Sequence, residues 1–227
     1  MPENVTEKNM RQIRAARKLI RRKQRQYETQ NLQFAEMQED PGLKEYLDRT
    51  RFINKDGEVC EFTDLQKHDL NLVLQKRYAL LNWQQGSGKT AAVYHRAKYL
   101  LKFRKARNVI ILAPAIATNM TWIPFLTVNK ERFRTIQTAG DLDNVPEGTF
   151  LVVSTSMLRK LKRGLMRFVK RTSSKLCLVF DESDEITNPT SQRTRNVLCI
   201  FRRLRYKILD TGTTTRNNIA ELYSQFE

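Results

Sequence analysis

The segment that most constrains this chain runs from Tyr78 to Thr90. An apolar run, Tyr78 to Trp83, is followed by Gln84-Gln85-Gly86-Ser87-Gly88-Lys89-Thr90 and then by a stretch of helical character reaching Phe103. A strand that turns through two glycines into a helix leaves backbone N–H groups pointing inward at the positive end of that helix, a natural seat for a phosphate. Lys89 then stands where it reaches terminal phosphates, and the Thr90 hydroxyl stands where it ligates magnesium. A Gly-Ser-Gly-Lys-Thr run also arises by chance in loops. The strand before it and the helix after it favour phosphate binding. The full pattern has a glycine five positions before Gly88, where this chain has Trp83.

The rest of the chain supplies a matching scaffold. Apolar runs at 78–83, 108–114, 133–137, 149–155, 175–180 and 206–210 alternate with helical stretches such as 90–103 and 157–170. Continuous apolar strands separated by helices predict an α/β fold, a mainly parallel sheet covered on both faces. Ligands of such sheets bind at the carboxyl ends of the strands. At the end of the fifth run stand Asp181-Glu182-Ser183-Asp184. Two carboxylates there suit a magnesium ligand (Asp181) and a group that polarises an attacking water (Glu182). Acidic residues also suit a helix start, but a phosphate loop earlier in the same sheet weakens that reading.

At the end of the sixth run stand Thr211-Gly212-Thr213, within "TGTTTRNNIAELYSQF". This resembles motif III of the Swi/Snf branch of superfamily 2 helicase-like ATPases, with Asn217, Asn218, Glu221, Leu222 and Ser224 on the pattern. Ile186, Asn188 and Pro189 agree with the stretch after that family's Asp-Glu pair. "VIILAPAIATNMTWIPF" resembles motif Ia, "LVVSTSMLRK" motif Ib, and "LQKHDLNLV" stands where the family reads adenine. Six elements in the family's order span residues 65–226.

The resemblance implies a RecA-like P-loop domain over 63–227, the first of two such lobes, with ATP and Mg2+ as cofactors. It implies ATP contacts at Asp69, Gly86, Ser87, Gly88, Lys89 and Thr90, metal ligands at Thr90 and Asp181, and catalytic roles for Lys89, Asp181 and Glu182. Thr211, Gly212 and Thr213 would couple nucleotide state to motion. Thr118, Asn119, Ser154, Thr155 and Ser156 fall where motifs Ia and Ib run along the phosphates of one DNA strand. Arg159 and Lys160 open the basic helix that follows. Three departures stand out: Asp69 replaces the adenine-reading glutamine, Ser183-Asp184 replace Ala-His or Ala-Gln, and Gln84-Gln85 replace an acidic pair. An ionised Asp69 accepts from an adenine amino group but donates nothing to N7.

Charge agrees with a polyanionic partner, nucleic acid above all, and the resemblance implies that this is duplex DNA. Lys and Arg total 41 against 24 Asp and Glu, a formal charge of +17. Cys60, Cys177 and Cys199 form no CxxC pair, so neither a disulfide framework nor a zinc site is suggested and an intracellular setting is expected: cytoplasmic or nucleoid-associated in a bacterium or virus, nuclear in a eukaryote. No apolar run is long enough to span a bilayer. Residues 1–62 read as an appendage: a long basic helix to about residue 40, with Ile13, Ile20, Tyr27 and Phe34 every seven positions, then a short helix and a hairpin turning at Asn54 to Gly57. His68 and His95 read as packing or surface residues, Trp122 and Phe125 as core, and Trp83 as packing against the sheet.

These readings converge on the ATP-binding lobe of a DNA-dependent translocase. Its second lobe, with the arginines that touch the γ-phosphate, is expected elsewhere in a longer chain or in a partner. The alternatives are a strand-separating helicase, a restriction-system motor subunit, or a nucleic-acid-binding module that does not hydrolyse ATP.

Overall fold

The computed structural model describes residues 36–54 and 56–212, with the single positions 21, 24 and 225. Nearly all of the long basic helix expected over 1–40, and the motif III residues from Thr213 to Ser224, lie outside the described residues. Residues 36–40 are turn and irregular backbone, not the end of a helix.

The chain divides into two compact units, 1–39 and 40–227. The boundary drawn at 62/63 therefore falls inside the second unit. The reason is burial. Helix α1 (Pro41–Asp48), capped by Asp40 accepting from the Leu43 N–H at 2.9 Å, turns Leu43 and Leu47 inward. Tyr46 packs edge-on against Tyr99. The hairpin β1 (Phe52–Ile53) and β2 (Val59–Cys60) forms as expected, and Phe62 after it is buried in the same core. Helix α2 (Asp64–Gln75) starts with a capping box, Thr63 with Gln66.

The main sheet has six strands: β3 (Tyr78–Asn82), β4 (Asn108–Ala113), β5 (Phe133–Thr135), β6 (Phe150–Ser154), β7 (Leu176–Phe180) and β8 (Tyr206–Thr211). Their order is β3-β8-β7-β4-β6-β5, and every pairing is parallel. Each predicted strand is present, and β5 is shorter than its apolar run. β4 and β7 are buried along their whole length, because helices cover both faces.

Side-chain alternation sorts the core into two layers. Val109, Ile111, Cys177, Val179, Tyr206 and Ile208 face α1, α2 and α3 (Lys89–Lys102), together with Trp122 and Phe125. Ile110, Leu112, Leu178, Phe180 and Leu209 face α6 (Leu158–Thr172) and α7 (Gln192–Phe201). Between β4 and β5 the chain runs through α4 (Ala115–Ala117), a π-helical turn (Thr118–Trp122) and α5 (Ile123–Val128).

Parallel pairing fixes where the chemistry gathers. All six strands end at one sheet edge. The loops after β3, β4, β6, β7 and β8 therefore open there, with only β8 between the phosphate-loop strand and the strand that leads to Asp181.

Candidate nucleotide-binding site

The loop after β3 has the conformation its glycines predict. Gly86 and Gly88 both have φ of 80°, the left-handed region that costs other residues strain. The Ser87 N–H and hydroxyl both donate to the Gln84 carbonyl, closing a tight turn. Gly88 is the N-cap of α3 and offers no side-chain cap. The first amides of the helix are thus left for an incoming acceptor. Thr90 is half-buried in that first turn.

Lys89 donates to the carbonyls of Trp83 and Gln84, each at 3.1 Å. The loop is braced from α2, where Gln66 Nε2 donates to the Ser87 carbonyl at 2.8 Å. Asp69, half-buried on the same helix, accepts from Trp83 Nε1 at 2.8 Å.

Asp181 follows β7 directly, and its N–H donates to the Leu112 carbonyl. The side chain is buried, and its Oδ2 accepts from Trp122 Nε1 at 2.7 Å. Trp122 is therefore not only core: its fully buried indole orients the acidic residue from a π-helical turn of the segment after β4. Such turns often mark functional sites. The sequence signal was available in part, because a buried indole N–H needs an acceptor.

Glu182 adopts φ 53° and ψ 53°, a left-handed conformation that costs a non-glycine residue about 1–2 kcal/mol and clusters at functional sites. Its half-buried carboxyl is held above the usual range by burial, then by Asp181 and Asp184, with Lys89 opposing. Ser183 and Asp184 are both buried, and the Ser183 hydroxyl donates to Gln225 Oε1 at 2.8 Å.

At the tip of β8, Thr211 is buried and Gly212 lies against the phosphate loop. A Cβ on Gly212 would sit 3.6 Å from Lys89 Nζ and 3.9 Å from the Gln85 nitrogen. Thr213 lies outside the described residues. Beside Thr211 is a group that the sequence reading did not single out, Asp210. It is fully buried, and neither carboxylate oxygen has a donor. Burial first, then Asp181, holds its carboxyl well above the usual range. In its protonated form it is placed to donate to Asp181.

The positions proposed to face DNA divide. Asn119, Ser156, Arg159 and Lys160 are exposed and Ser154 is half-exposed, its hydroxyl 2.8 Å from that of Ser156. Thr118 and Thr155 are buried, at 3% and 5% exposure, so their hydroxyls do not present to a phosphate strand. Thr118 turns inward in the π-helical turn, and Thr155 does so in the 3-10 turn after β6. Helix α6 buries Leu158, Leu161, Leu165 and Phe168 and turns Arg159, Lys160, Arg163, Arg167 and Lys170 outward. No ion pair to these cations is seen among the described residues.

Comparison with known proteins agrees with this geometry. No family model matches the chain. The chain is 24% identical over 199 residues to the ATP-dependent helicase FUN30 of Saccharomyces cerevisiae, covering 82% of this chain and 17% of that protein. The SWI2/SNF2 ATPase core of Sulfolobus solfataricus in complex with dsDNA superposes with a TM-score of 0.59 at 18% identity, over 73% of this chain and 35% of that one. The UvsW helicase of bacteriophage T4 gives 0.54 at 14% identity, over 82% and 66%. The chain spans a small part of the yeast relative and about a third of the archaeal ATPase chain. No helix among the described residues is long and apolar enough to cross a membrane.

Proposed function

We propose that this chain, a Swi/Snf-type superfamily 2 helicase-like domain, is the ATP-binding lobe of a motor that couples hydrolysis to movement along duplex DNA. The observation that carries this reading is the meeting of Lys89 and Thr90 with Asp181 and Glu182 at one sheet edge, one strand apart. The residues fit a magnesium nucleotide. The uncapped first turn of α3 offers amides, Lys89 holds its ammonium on loop carbonyls that a phosphate can replace, and buried carboxylate oxygens lie beside it.

In this reading the amides of Gly86, Ser87 and Gly88 and the ammonium of Lys89 bind phosphates, and Thr90 and Asp181 hold the ion. Bound magnesium supplies neutralisation of the charge that builds on the transferred phosphoryl group. Glu182, whose carboxyl is held above the usual range by burial and by Asp181 and Asp184, is a stronger base than an exposed carboxylate and accepts the proton of the attacking water more readily. Thr211, Gly212 and Thr213 pass the state of the phosphate site along β8. Hydrolysis at motor rates needs an arginine on the γ-phosphate, worth about 10³–10⁵-fold. The reading assigns it to a second RecA-like lobe in the same polypeptide or a partner. Asn119, Ser154, Ser156 and the outward face of α6 would follow the phosphates of one strand without reading bases.

The test is binding of a fluorescent ATP analogue, with and without MgCl2, and of a labelled duplex. Lys89→Ala should weaken Mg-dependent nucleotide binding by about tenfold or more, a loss of about 1.4 kcal/mol, and leave duplex binding intact. Nucleotide binding that is indifferent to both Lys89→Ala and Asp181→Asn would overturn the reading. An unwinding assay on the two-lobed protein separates a translocase from a strand-separating helicase.

A further inference from the structure

Side-chain parity places Asp210 where a buried carboxylate has a use. Along β7, Cys177 and Val179 face the α3 layer, so Asp181 continues on that side, as its bond to Trp122 requires. Along β8, Tyr206 and Ile208 face the same layer, so Asp210 does too. The parallel register pairs Phe180 with Leu209 and Leu81 with Asp210. Asp210 therefore sits between Leu81 and Asp181, on the side where α3 begins with Lys89 and Thr90.

That position is otherwise an apolar one. Its neighbours Ile208, Leu209 and Leu81 are buried, and a leucine there would extend the core. A carboxylate with both oxygens buried and no donor instead costs several kcal/mol unless a partner arrives. Among the described residues, two nearby donors are engaged elsewhere. The Trp122 indole is given to Asp181, and the Lys89 ammonium to Trp83 and Gln84.

We infer that Asp210 is a second carboxylate ligand for the divalent ion, beside Asp181, so that the ion is held from two neighbouring strands. The inference rests on the magnesium-nucleotide reading of the site. Magnesium is commonly held by one or two carboxylates plus substrate phosphates. No group of three or more His, Cys, Asp or Glu side chains suited to a metal occurs among the described residues. The remaining ligands then come from Thr90, phosphate oxygens and water.

Mn2+ titrated into the full chain with and without ADP, with free Mn2+ read by electron paramagnetic resonance, tests this. Asp210→Asn and Asp210→Leu should each weaken Mn2+ binding in the presence of ADP by about tenfold or more. ADP binding in EDTA should stay unchanged. Asp210→Leu should still fold, because it replaces a fully buried carboxyl with a side chain like its neighbours. Parent-like Mn2+ affinity in both variants, with parental ADP binding still metal-dependent, overturns the role of Asp210 alone. Metal-independent ADP binding by the parent overturns the nucleotide-site reading and this inference with it.

Discussion

Replacing Trp122 by Phe should uncouple Asp181 from the indole that donates to it while keeping most of the ring in place. The bond is short, 2.7 Å, and runs between a side chain that is 0% exposed and one that is 6% exposed. A hydrogen bond to a charged, buried acceptor contributes about 1.5–3 kcal/mol. The substitution also leaves a void beside Phe125, whose ring meets Trp122 edge-on at 6.5 Å, and that void has its own cost. A double-mutant cycle separates the two. Asp181→Leu removes the same bond from the other side and also relieves repulsion with Asp210 and Glu182. That relief appears in both arms and cancels. Equilibrium urea denaturation of the four proteins in EDTA should return a coupling energy of about 1.5–3 kcal/mol. A coupling below about 0.5 kcal/mol, within the scatter of independent sites, would mean that the indole merely packs and that the carboxylate is oriented by other groups.

Burial pushes the His95 imidazole down to about 4 from 6.5, with Lys98 adding to it. The folded state thus keeps His95 neutral where the unfolded chain takes up a proton. Its contribution to stability is whole above pH 6.5 and lost as pH falls toward 4, about 2 kcal/mol between pH 7 and pH 5; urea melts of the parent should show this extra slope and those of His95→Phe should not. Gly164 on α6 faces Ala139, where an added Cβ would approach the Ala139 Cβ to 3.0 Å, so Gly164→Val should cost about 1–3 kcal/mol by thermal denaturation. Arg159→Glu with Lys160→Glu should weaken duplex binding and flatten its salt dependence by about 0.9 per lost phosphate contact, with ATP-analogue binding unchanged. Equal salt slopes in the two proteins would remove α6 from the DNA path.

Local chemistry made the phosphate loop and the strand ends legible. Two glycines, a lysine and a threonine between an apolar run and a helix leave few alternatives, and continuous apolar runs could only be two-sided strands. What stayed hidden was decided by register or by distance along the chain. The Trp122–Asp181 bond joins positions far apart in sequence, through a π-helical turn that no periodicity announces. The role of Asp210 depends on which face of β8 it takes, and a single residue of register would reverse that. Thr118 and Thr155 read as phosphate contacts because they carry hydroxyls at the positions of motifs Ia and Ib; the turns that hold them bury both. Composition shifts near 62/63 while packing does not, and residues 40–62 pack with the second unit. Leu43, Leu47 and Phe62 are too few to form a period but enough to dock a segment.

Two of the departures from the family pattern are one structural feature. Trp83 stands where the phosphate loop would have its first glycine, and Asp69 stands where glutamine would read adenine. The Trp83 indole donates to the Asp69 carboxylate at 2.8 Å. A glycine at 83 would leave that carboxylate without the donor, and a glutamine at 69 would offer the indole a weaker, neutral acceptor. The pair therefore belongs together, and either reversion alone should be costlier than both at once. One Asp69 oxygen is committed to the indole. The other remains to accept from an exocyclic amino group. If Asp69 faces the base as proposed, bases are told apart on that side by whether they present such a donor at that edge, without the paired donor and acceptor of a glutamine amide. A base presenting a carbonyl at that edge would meet acceptor against acceptor. Competition of ATP, CTP and GTP for the fluorescent analogue should therefore rank ATP and CTP, which present an amino group at that edge, above GTP, which presents its 6-carbonyl there, and Asp69→Asn should narrow the gap by restoring a donor.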